Sequence, residues 1–400
     1  MQRVVFLVDM NAFFISCEMT RNPDLVGKPA AVAGDPKNRS GIVLAANYEA
    51  RKYGIKTTMV IHQALKLCPS LILVPPDHHF YEANSREVMK LLGNYSPIVE
   101  KNSIDEAWLD MTGTERLFGT PIEAAQRIMN EISDCLGLWC SIGISENKLL
   151  SKIASEIKKP MGITELWLKD IQTKLWPLPV TDLYGIGKQT GSKLNNIGIN
   201  TIGDLARYKS KALIQIFGKQ AIELQRLANG IDESPVAPRV SGEMKSIGRS
   251  ATLKEDAVNI EDVRSIFREM CEEVGFDARK NNKKARTIQI TIKFSDFQTI
   301  TRQTSVEPTC LTKDIYEKGF VLLKRNWNSI KPVRLVGVSI TGFEQDCSCA
   351  QLSLFDQTDI FDKDFNASQK EEKLEKAIDS IRSKLGTNAV SRAIQIKKQS

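Results

Sequence analysis

Histidine, cysteine and long apolar runs are all scarce in this chain. Its 400 residues include 3 histidines and 8 cysteines, and none of them shows the CxxC or paired-histidine spacing of a zinc site. So few cysteines do not form a disulfide scaffold, and we expect a reducing, cytoplasmic compartment. No apolar run approaches the roughly 20 residues that span a bilayer. The N-terminus lacks a basic segment with a cleavage site, so we do not expect secretion.

The composition is typical of a multidomain globular protein. The chain is 42% hydrophobic and 26% charged, and at roughly 100–200 residues per domain its length predicts two to four globular units. Lysine and arginine number 55 against 48 aspartates and glutamates, a net charge of +7. This excess fits a polyanionic partner but does not prove one.

The N-terminal part alternates between predicted strands and helices. The apolar run Val4–Val8 predicts a buried strand, and Ala12–Met19 predicts a helix after it. Two further strands, Ile98–Glu100 and Ala107–Met111, flank the tight corner KNSIDE. The alternation predicts an α/β sandwich with a mixed or antiparallel sheet.

From about residue 168 the pattern changes. Residues 168–231 are expected to be helical with glycine turns, and 232–244, with two prolines, to be a tether between domains. The period-two strand Thr287–Phe294 and its amphipathic neighbours predict a small α+β domain over 245–344. The predicted fold class is therefore α/β and α+β multidomain.

Three carboxylates are candidates for a metal site. Asp9 ends the first predicted strand, and Asp105 with Glu106 lies at the predicted corner, so one sheet could unite them. At 4 Å and an effective dielectric near 20, each like-charge pair repels by about 4 kcal/mol, so the cluster needs cations. Oxygen ligands favour Mg²⁺, and two ions roughly 3.5–4 Å apart support in-line phosphoryl transfer. On these residues alone, a strand end and an acidic turn of structural role are the alternative.

Five motifs follow one another along the chain. They are VDMNAFF (8–14), ANYEARKYGI (46–55), SIDEAWLD (103–110), GISENKLLSKIASEIKKPMGI (143–163) and LYGIGKQTGSKL (183–194). Together they resemble the Y family of DNA polymerases, the lesion-bypass enzymes, and in particular its bacterial branch of polymerase IV and UmuC-like proteins. The resemblance covers about residues 1–345.

This resemblance implies a right-hand polymerase that uses primer-template DNA and dNTPs. The implied enzyme is a monomeric, template-directed DNA polymerase of low fidelity and without proofreading, which inserts nucleotides opposite damaged bases with two Mg²⁺ ions. The implied domains are a palm (1–10 and 78–167), small fingers (11–77), a helix-hairpin-helix thumb (168–231), a linker (232–244), a little finger (245–344) and a C-terminal tail (345–400).

The resemblance also implies roles for individual residues. Asp9, Asp105 and Glu106 are the implied catalytic metal ligands, joined by the main-chain carbonyl of Met10. Many relatives carry an aspartate where this chain has Asn11, so we do not expect Asn11 to be an anionic ligand.

Other positions are implied to hold the incoming nucleotide. Tyr48 and Arg51 are three residues apart and share a helix face, and Lys159 adds a donor for the triphosphate. The main-chain amides of Phe13 and Phe14 could add phosphate donors at a helix start.

The sugar and the base have their own candidate residues. Phe14 resembles the steric gate that excludes a 2′-hydroxyl, with ordinary core packing as the alternative. Leu44 and Ala45 are expected to lie over the nascent base pair, where small side chains leave room for a distorted base.

Two regions are expected to contact DNA. Gly185 and Gly187 mark the bend of a helix-hairpin-helix, with Lys188 and Lys193 adding charge for phosphates, and a plain helical hairpin is the alternative. In the little finger, basic side chains are expected to line a strand surface that faces phosphates, so that binding weakens steeply with salt. They are Lys245, Arg249, Lys283, Lys284 and Arg286.

The polar tail contains one peptide-like motif, which resembles the bacterial sliding-clamp binding pentapeptide. It consists of Gln351, Leu352, Ser353, Leu354 and Phe355. A short packed strand or helix is the alternative. Clamp tethering would raise the local concentration on DNA. A helix is expected farther on, at Gln369–Leu385.

Two rival functions are weighed against the polymerase. A palm-fold nucleotidyl cyclase also pairs carboxylates with two metals, but it needs no thumb or little finger to grip a duplex. A non-catalytic DNA-binding or scaffold protein would not need the three carboxylates.

Overall fold

A computed structural model describes residues 2–35, 41–238, 244–328, 330–343, 358–386 and 389–390, with 358–369 described by their backbone alone. The chain divides into two compact units, one within residues 1–240 and one within residues 241–400. In the described part of the chain, no helix is both long and apolar enough to cross a membrane.

The first unit alternates between strands and helices and then becomes helical. Its elements are β1 (Val5–Met10), α1 (Phe13–Arg21), β2 (Ala30–Ala33), β3 (Val43–Ala46), α2 (Tyr48–Lys52), α3 (Ile61–Leu67), β4 (Ile72–Val74), α4 (His78–Leu92), β5 (Val99–Lys101), β6 (Glu106–Asp110), α5 (Glu115–Phe118), α6 (Pro121–Leu136), β7 (Cys140–Ser145), α7 (Lys148–Ile157), β8 (Ile163–Glu165), α8 (Lys188–Asn195), α9 (Ile202–Arg207), α10 (Ser210–Phe217) and α11 (Gln220–Ala228).

A five-stranded sheet in the order β5-β6-β1-β7-β8 forms the centre of this unit. β1 runs antiparallel to β6 and β7, whereas β7 and β8 are parallel, so the predicted mixed sheet is confirmed. Since side chains alternate between the two faces of a strand, Phe6 and Val8 join the core under α4 and α6. Val5 and Leu7 lie on the other face, and alternation places Asp9 there too, on the face next to α7.

Residues 232–238 pack against this second face, where the sequence predicted part of a tether. Val236 is buried beside Trp108. The carboxylate of Asp232 accepts a hydrogen bond from the amide of Leu149 at the start of α7, at 3.0 Å. The prolines and polar residues of this segment did not predict its contacts with Trp108 and Leu149, because both partners lie far away in sequence. Residues 232–238 therefore belong to the first unit rather than to a flexible tether.

A small sheet in the order β3-β2-β4 follows the first helix. The side-chain carbonyl of Asn47 caps α2 by accepting from the amide of Ala50 at 3.0 Å, and it also accepts from the amide of Ala30 at 3.1 Å. This double contact ties α2, which carries Tyr48 and Arg51, to the start of β2, the central strand of the small sheet.

The helices α8 to α11 form a separate core within the first unit, in the region predicted to be helical. Gly185 has φ of +93°, a left-handed conformation that favours glycine. Gly187 is the N-cap of α8. The glycine-marked bend is therefore the start of a helix.

The second unit contains four strands and three helices in its described residues. They are β9 (Ser246–Ala257), α12 (Ile260–Lys280), β10 (Ala285–Phe294), β11 (Thr299–Thr309), α13 (Thr312–Asn326), β12 (Val333–Phe343) and α14 (Thr358–Leu385). The strands form an antiparallel sheet in the order β11-β10-β12-β9. The predicted α+β domain is confirmed.

One face of this sheet packs on α12 and α13, and the other face carries mostly neutral polar side chains. Residues paired across neighbouring strands lie on the same side of a sheet. Two rows of paired residues cross the open face from β9 through β12 and β10 to β11. The first row is Ser250, Gly337, Thr291 and Thr301. The second row is Gly248, Ser339, Gln289 and Gln303. We call these residues the neutral face.

The helix α14 is anchored to the second unit by a buried arginine. The guanidinium of Arg279, on α12, pairs with Asp379 at 2.6 Å and contacts Glu375. It also donates to the carbonyl of Cys310 at 2.9 Å. Arg279 and Glu375 are 8% and 6% exposed, so this contact lies inside the fold. The expected helix at Gln369–Leu385 is confirmed as the C-terminal part of α14.

Candidate active site

Asp9 and Glu106 lie opposite each other in the pairing of β1 with β6. Asp9 is 4% exposed. The amide of Met10 donates to the carbonyl of Asp105 at 2.9 Å, which joins the end of β1 to the 105–106 corner. Sheet register thus brings together acidic residues that are almost a hundred positions apart in sequence.

Two lysines neutralise these acids. The Nζ of Lys152, on α7, lies 2.9 Å from Asp9 Oδ2 and contacts Glu106. The Nζ of Lys159 lies 2.8 Å from Asp9 Oδ1. Both ammonium groups also reach Oε1 of Glu156, at 3.0 Å and 2.8 Å. The carboxylates therefore have cationic partners from this chain.

Burial and charge act in opposite directions on these groups. Burial raises the pKa of Asp9, although Lys152 and Lys159 pull it down. Burial also opposes the ionisation of Glu106, but hydrogen bonds with Asp9 and Lys152 outweigh it and hold the pKa of Glu106 below its usual value. Burial lowers the pKa of each lysine, yet the neighbouring carboxylates outweigh it and raise the pKa of both. Both lysines are therefore cations at neutral pH.

Asp105 and Asn11 have polar partners of their own. The Asp105 carboxylate accepts from the hydroxyl of Ser103 at 2.5 Å. The Asn11 amide donates to Ser141 Oγ at 3.0 Å, and its carbonyl accepts from the amide of Met161 at 2.8 Å. Asn11 is thus part of the sheet's scaffold, which agrees with the expectation that it is not an anionic ligand.

A cavity of about 260 Å³ opens beside the acids. Every residue that the sequence predicted to bind metal or nucleotide lines it, although the residues come from four separate parts of the chain. The lining consists of Asp9, Met10, Asn11, Ala12, Phe13, Phe14, Leu44, Ala45, Tyr48, Arg51, Thr57, Asp105, Glu106 and Lys159.

The hydroxyl of Tyr48 is buried and, within the described residues, has no hydrogen-bond partner. Burial raises the pKa of Tyr48, so the hydroxyl keeps its proton and can donate it. The guanidinium of Arg51 lies 4.7 Å from the Tyr48 ring centroid, held by a 2.9 Å bond from its Nε to the Ala46 carbonyl. An unpaired buried hydroxyl costs about 1–3 kcal/mol. An unpaired Tyr48 hydroxyl close to the Arg51 guanidinium and to Lys159 indicates that an anionic ligand binds here.

The start of α1 also points into the cavity. Phe13 and Phe14 are the first two residues of this helix, where backbone N–H groups have no acceptor within the helix. Ala12, just before it, has φ of 49°, so the chain turns sharply after β1. The turn brings the start of α1 into the same cavity as Asp9.

Phe14 stands on a stack of aromatic rings. Its ring is parallel to that of Tyr81 and is met edge-on by His78. The Tyr81 hydroxyl donates to the buried carboxylate of Glu18 at 2.6 Å. Arg21 pairs with the same carboxylate at 2.8 Å. The ring of Phe14 is therefore supported from behind.

None of the predicted DNA-binding residues is among those that line this cavity. Gly185 and Gly187 lie at the bend before α8, and Lys188 and Lys193 lie on that helix. In the second unit, Lys245 precedes β9, and three basic residues lie around the start of β10: Lys283, Lys284 and Arg286.

Arg249 differs from its predicted placement. It pairs with Glu273 at 2.8 Å and with Asp277 at 2.5 Å, both on α12. Strand alternation puts Arg249 on the helix side of β9, so it does not line the neutral face. Lys284 pairs with Glu372 of α14 at 2.9 Å. The predicted clamp motif, Gln351–Phe355, lies outside the described residues.

Sequence reasoning missed four residues at or near the site. Lys152 and Glu156 belong to the acid cluster, Thr57 lines the cavity and Tyr81 supports Phe14. Lys152, Glu156 and Lys159 are spaced i, i+4 and i+7, which is the signature of one helix face. That spacing was a usable signal for the first two. Nothing in the sequence linked Tyr81 to Phe14.

The donor set fits a hard divalent cation. Carboxylate oxygens of Asp9, Glu106 and Glu156 lie within 4.8 Å of one another, and Asp105 lines the same cavity. Oxygen donors without thiolate or imidazole are typical of sites for Mg²⁺, Ca²⁺ or Mn²⁺.

Models of one protein family match most of the chain. The impB/mucB/samB family model matches residues 8–156, the model of its C-terminal domain matches residues 244–354, and its HHH motif matches residues 169–199.

Close relatives match along the whole length. The chain is 56% identical over 398 residues to a protein named DNA polymerase IV from Clostridium kluyveri, covering 100% of this chain and 99% of that protein. It is 55% identical over 398 residues to the DNA polymerase IV of Alkaliphilus oremlandii, with full coverage of both.

A solved structure shares the fold. A chain described as a Y-family DNA polymerase chimera aligns with a TM-score of 0.77 at 29% identity, covering 85% of this chain and 99% of that one.

Proposed function

The chain belongs to the impB/mucB/samB family and is a Y-family DNA polymerase, and we propose that the cavity beside Asp9 is where it joins a deoxynucleotide to a primer. It is a DNA-directed DNA polymerase of translesion synthesis. The observation that carries the proposed site is the meeting of acids and phosphate-binding side chains in one cavity, although they lie far apart in sequence.

Divalent ions are part of this chemistry, and we propose two Mg²⁺. Asp9, Asp105 and Glu106, with the carbonyl of Met10, would hold them. Once bound, two such ions stabilise the attacking and leaving oxygens of an in-line displacement. The burial of Asp9 supports this assignment, because a site shielded from water strengthens charge interactions.

The chain's own residues orient the triphosphate. Tyr48, Arg51 and Lys159 donate to its oxygens, and the amides of Phe13 and Phe14 add donors at the start of α1. Because α2 is capped and tied to the start of β2, Tyr48 and Arg51 are held in place before the nucleotide arrives. Such positioning directs the α-phosphorus toward the primer 3′-hydroxyl and supplies a large part of the rate enhancement.

Selection of sugar and base falls to the apolar lining. The ring of Phe14 lies where a 2′-hydroxyl would clash, so we assign it the role of steric gate. Leu44 and Ala45 would lie over the base pair with side chains of medium and small size. This lining supports tolerance of distorted template bases and modest fidelity.

DNA is gripped outside the cavity. We assign the palm to 1–10 and 78–167, the fingers to 11–77, the thumb to 168–231 and the little finger to 245–344. In the thumb, the glycine bend before α8 offers backbone amides to phosphates. In the little finger, the neutral face suits contact with the sugar-phosphate backbone through hydroxyls and main chain, which carries no sequence preference.

The remaining assignments rest on the sequence. We propose that Gln351–Phe355 binds the bacterial sliding clamp and that the enzyme works as a monomer in the cytoplasm, on the nucleoid. Clamp binding would raise the local concentration of the enzyme on DNA. This tethering would compensate for a limited contact area between the enzyme and the duplex.

Primer extension tests the proposed site. The chain should extend a primer on undamaged, abasic, alkylated and photodimer templates, whereas Asp105→Ala should lower the rate by at least about a hundredfold. Asp110→Asn is the matched control, since Asp110 lies at the other end of β6 from the 105–106 corner and its carboxylate accepts a hydrogen bond from the amide of Thr112. Equal extension by Asp105→Ala and the native chain would refute the assignment.

The same assay separates the rival functions. A nucleotidyl cyclase would consume nucleotide without a primer, and a scaffold protein would bind DNA without extending it. Extension that needs both primer and template excludes both.

A further inference from the structure

The ammonium group of Lys152 lies among three carboxylates. It is 2.9 Å from Asp9 and 3.0 Å from Glu156, and it contacts Glu106. Its side chain is 12% exposed, as is expected for a cation enclosed by its partners. No other described lysine or arginine touches both Asp9 and Glu106.

This position conflicts with a bound divalent ion. Lys152 meets one carboxylate oxygen of each of two proposed metal ligands, Asp9 and Glu106, so a metal bound through those oxygens competes with it. Two cations within about 4 Å also repel strongly in a partly buried site. Lys152 cannot keep both contacts when a metal is held by the same oxygens.

Glu156 offers the lysine another partner. It lies one turn along α7 from Lys152, at the i+4 spacing that lets side chains pair. Its side chain is 53% exposed, so it lies on the solvent side of the cluster. Glu156 also pairs with Lys159 at 2.8 Å, which makes it the shared partner of both lysines.

We propose that Lys152 holds Asp9 and Glu106 together in the metal-free enzyme, and that Glu156 takes over Lys152 when a divalent ion displaces it. The inference rests on the proposed role of Asp9 and Glu106 as metal ligands. Lys152 and Glu156 are thus positioning residues that set how readily the site takes up metal.

The first test asks whether Lys152 competes with a divalent ion for Asp9 and Glu106. The full chain is titrated with Mn²⁺, and the electron paramagnetic resonance signal of the free ion reports how much is bound. Lys152→Met should bind Mn²⁺ about tenfold more tightly, because a like charge within about 4 Å of the ion is removed. Lys158→Met, at an exposed position of the same segment, is the matched control and should bind like the native chain. Unchanged or weaker binding by Lys152→Met would overturn the proposal.

Thermal melting provides a second readout and a check of folding. In EDTA, Lys152→Met should melt at a lower temperature than the native chain, since Asp9 and Glu106 then lack their shared cation. Mg²⁺ should raise its melting temperature by more than it raises that of the native chain. Should Lys152→Met not fold, Lys152→Gln carries the same expectations. An equal Mg²⁺ shift in variant and native chain would count against the proposal.

A double-mutant cycle tests the role of Glu156. Glu156→Gln should weaken Mn²⁺ binding about threefold in the native background, and this loss should shrink or vanish in the Lys152→Met background. The same loss in both backgrounds would mean that Glu156 acts directly by its charge, and would overturn its role as acceptor of Lys152.

Asp9→Asn separates this inference from the proposed function. If Asp9→Asn keeps native Mn²⁺ affinity, the metal assignment itself fails. If Asp9→Asn loses binding while Lys152→Met and Glu156→Gln bind like the native chain, only the inference about the lysine fails.

Discussion

The rings of Phe14 and Tyr81 are stacked, with centroids 4.5 Å apart and planes 14° from parallel. Tyr81 is fully buried, and its hydroxyl is fixed by the buried Glu18. A ring supported in this way cannot easily yield to a larger sugar. If Phe14 is the steric gate that we propose, this contact makes its ring a rigid barrier.

Phe14→Ala should therefore admit ribonucleotides. We expect the preference for dNTP over rNTP in kcat/KM to fall by about a hundredfold or more, the scale on which a pocket distinguishes a hydroxyl from its absence. Single-nucleotide insertion with matched dNTP and rNTP measures it. Phe80→Ala is the control, since Phe80 neighbours Tyr81 but does not line the cavity. Retained discrimination in Phe14→Ala would remove the gate assignment.

Tyr48→Phe should separate nucleotide binding from stability. The buried hydroxyl has no partner in the described protein, so its removal should leave the free energy of unfolding unchanged or slightly higher. Loss of a hydrogen bond to a charged phosphate should raise KM for dNTP about tenfold. Steady-state kinetics and urea unfolding measure the two effects. Tyr53→Phe, at the exposed end of the same helix, is the control and should change neither the KM for dNTP nor the free energy of unfolding. A large loss of stability in Tyr48→Phe would show that the hydroxyl has a structural role.

Arg279→Met should destabilise the second unit strongly. It removes the buried guanidinium that pairs with Glu375 and Asp379, and breaking such a buried ion pair costs about 3–5 kcal/mol. The tryptophan of this unit, Trp327, is buried and reports its unfolding in urea. Arg264→Met on the same helix removes an exposed pair with Glu261 and a cation–π contact with the Phe320 ring. It should cost clearly less, about 1–2 kcal/mol at most. Similar losses in both variants would show that α14 is not anchored through Arg279.

Val236→Ala should weaken the first unit. Val236 is 6% exposed and packs on Val5, Leu7 and Trp108. Truncating it leaves a small cavity and should lower the free energy of unfolding by about 1–2 kcal/mol. Val26→Ala, which trims a valine that is 54% exposed, should cost almost nothing. A neutral effect at Val236 would mean that residues 232–238 do behave as a tether.

Much of the fold and most of the cavity could be predicted from residue order. The apolar run before Asp9 predicted β1, and the alternation of Thr287–Phe294 predicted β10, because the period of apolar residues reports which face of an element is buried. Tyr48, Arg51 and Phe14 were found through the resemblance of their motifs to those of Y-family polymerases.

Other features exist only once the chain is packed. The contact of Lys152 with two acids depends on the register of β1 with β6 and on where α7 crosses them. The support of Phe14 by Tyr81 joins two helices, and the burial of Val236 and Arg279 depends on segments far along the chain. A residue's type and spacing determine what it is able to do, whereas long-range packing decides which partner it meets, because that choice depends on the free energy of the whole fold.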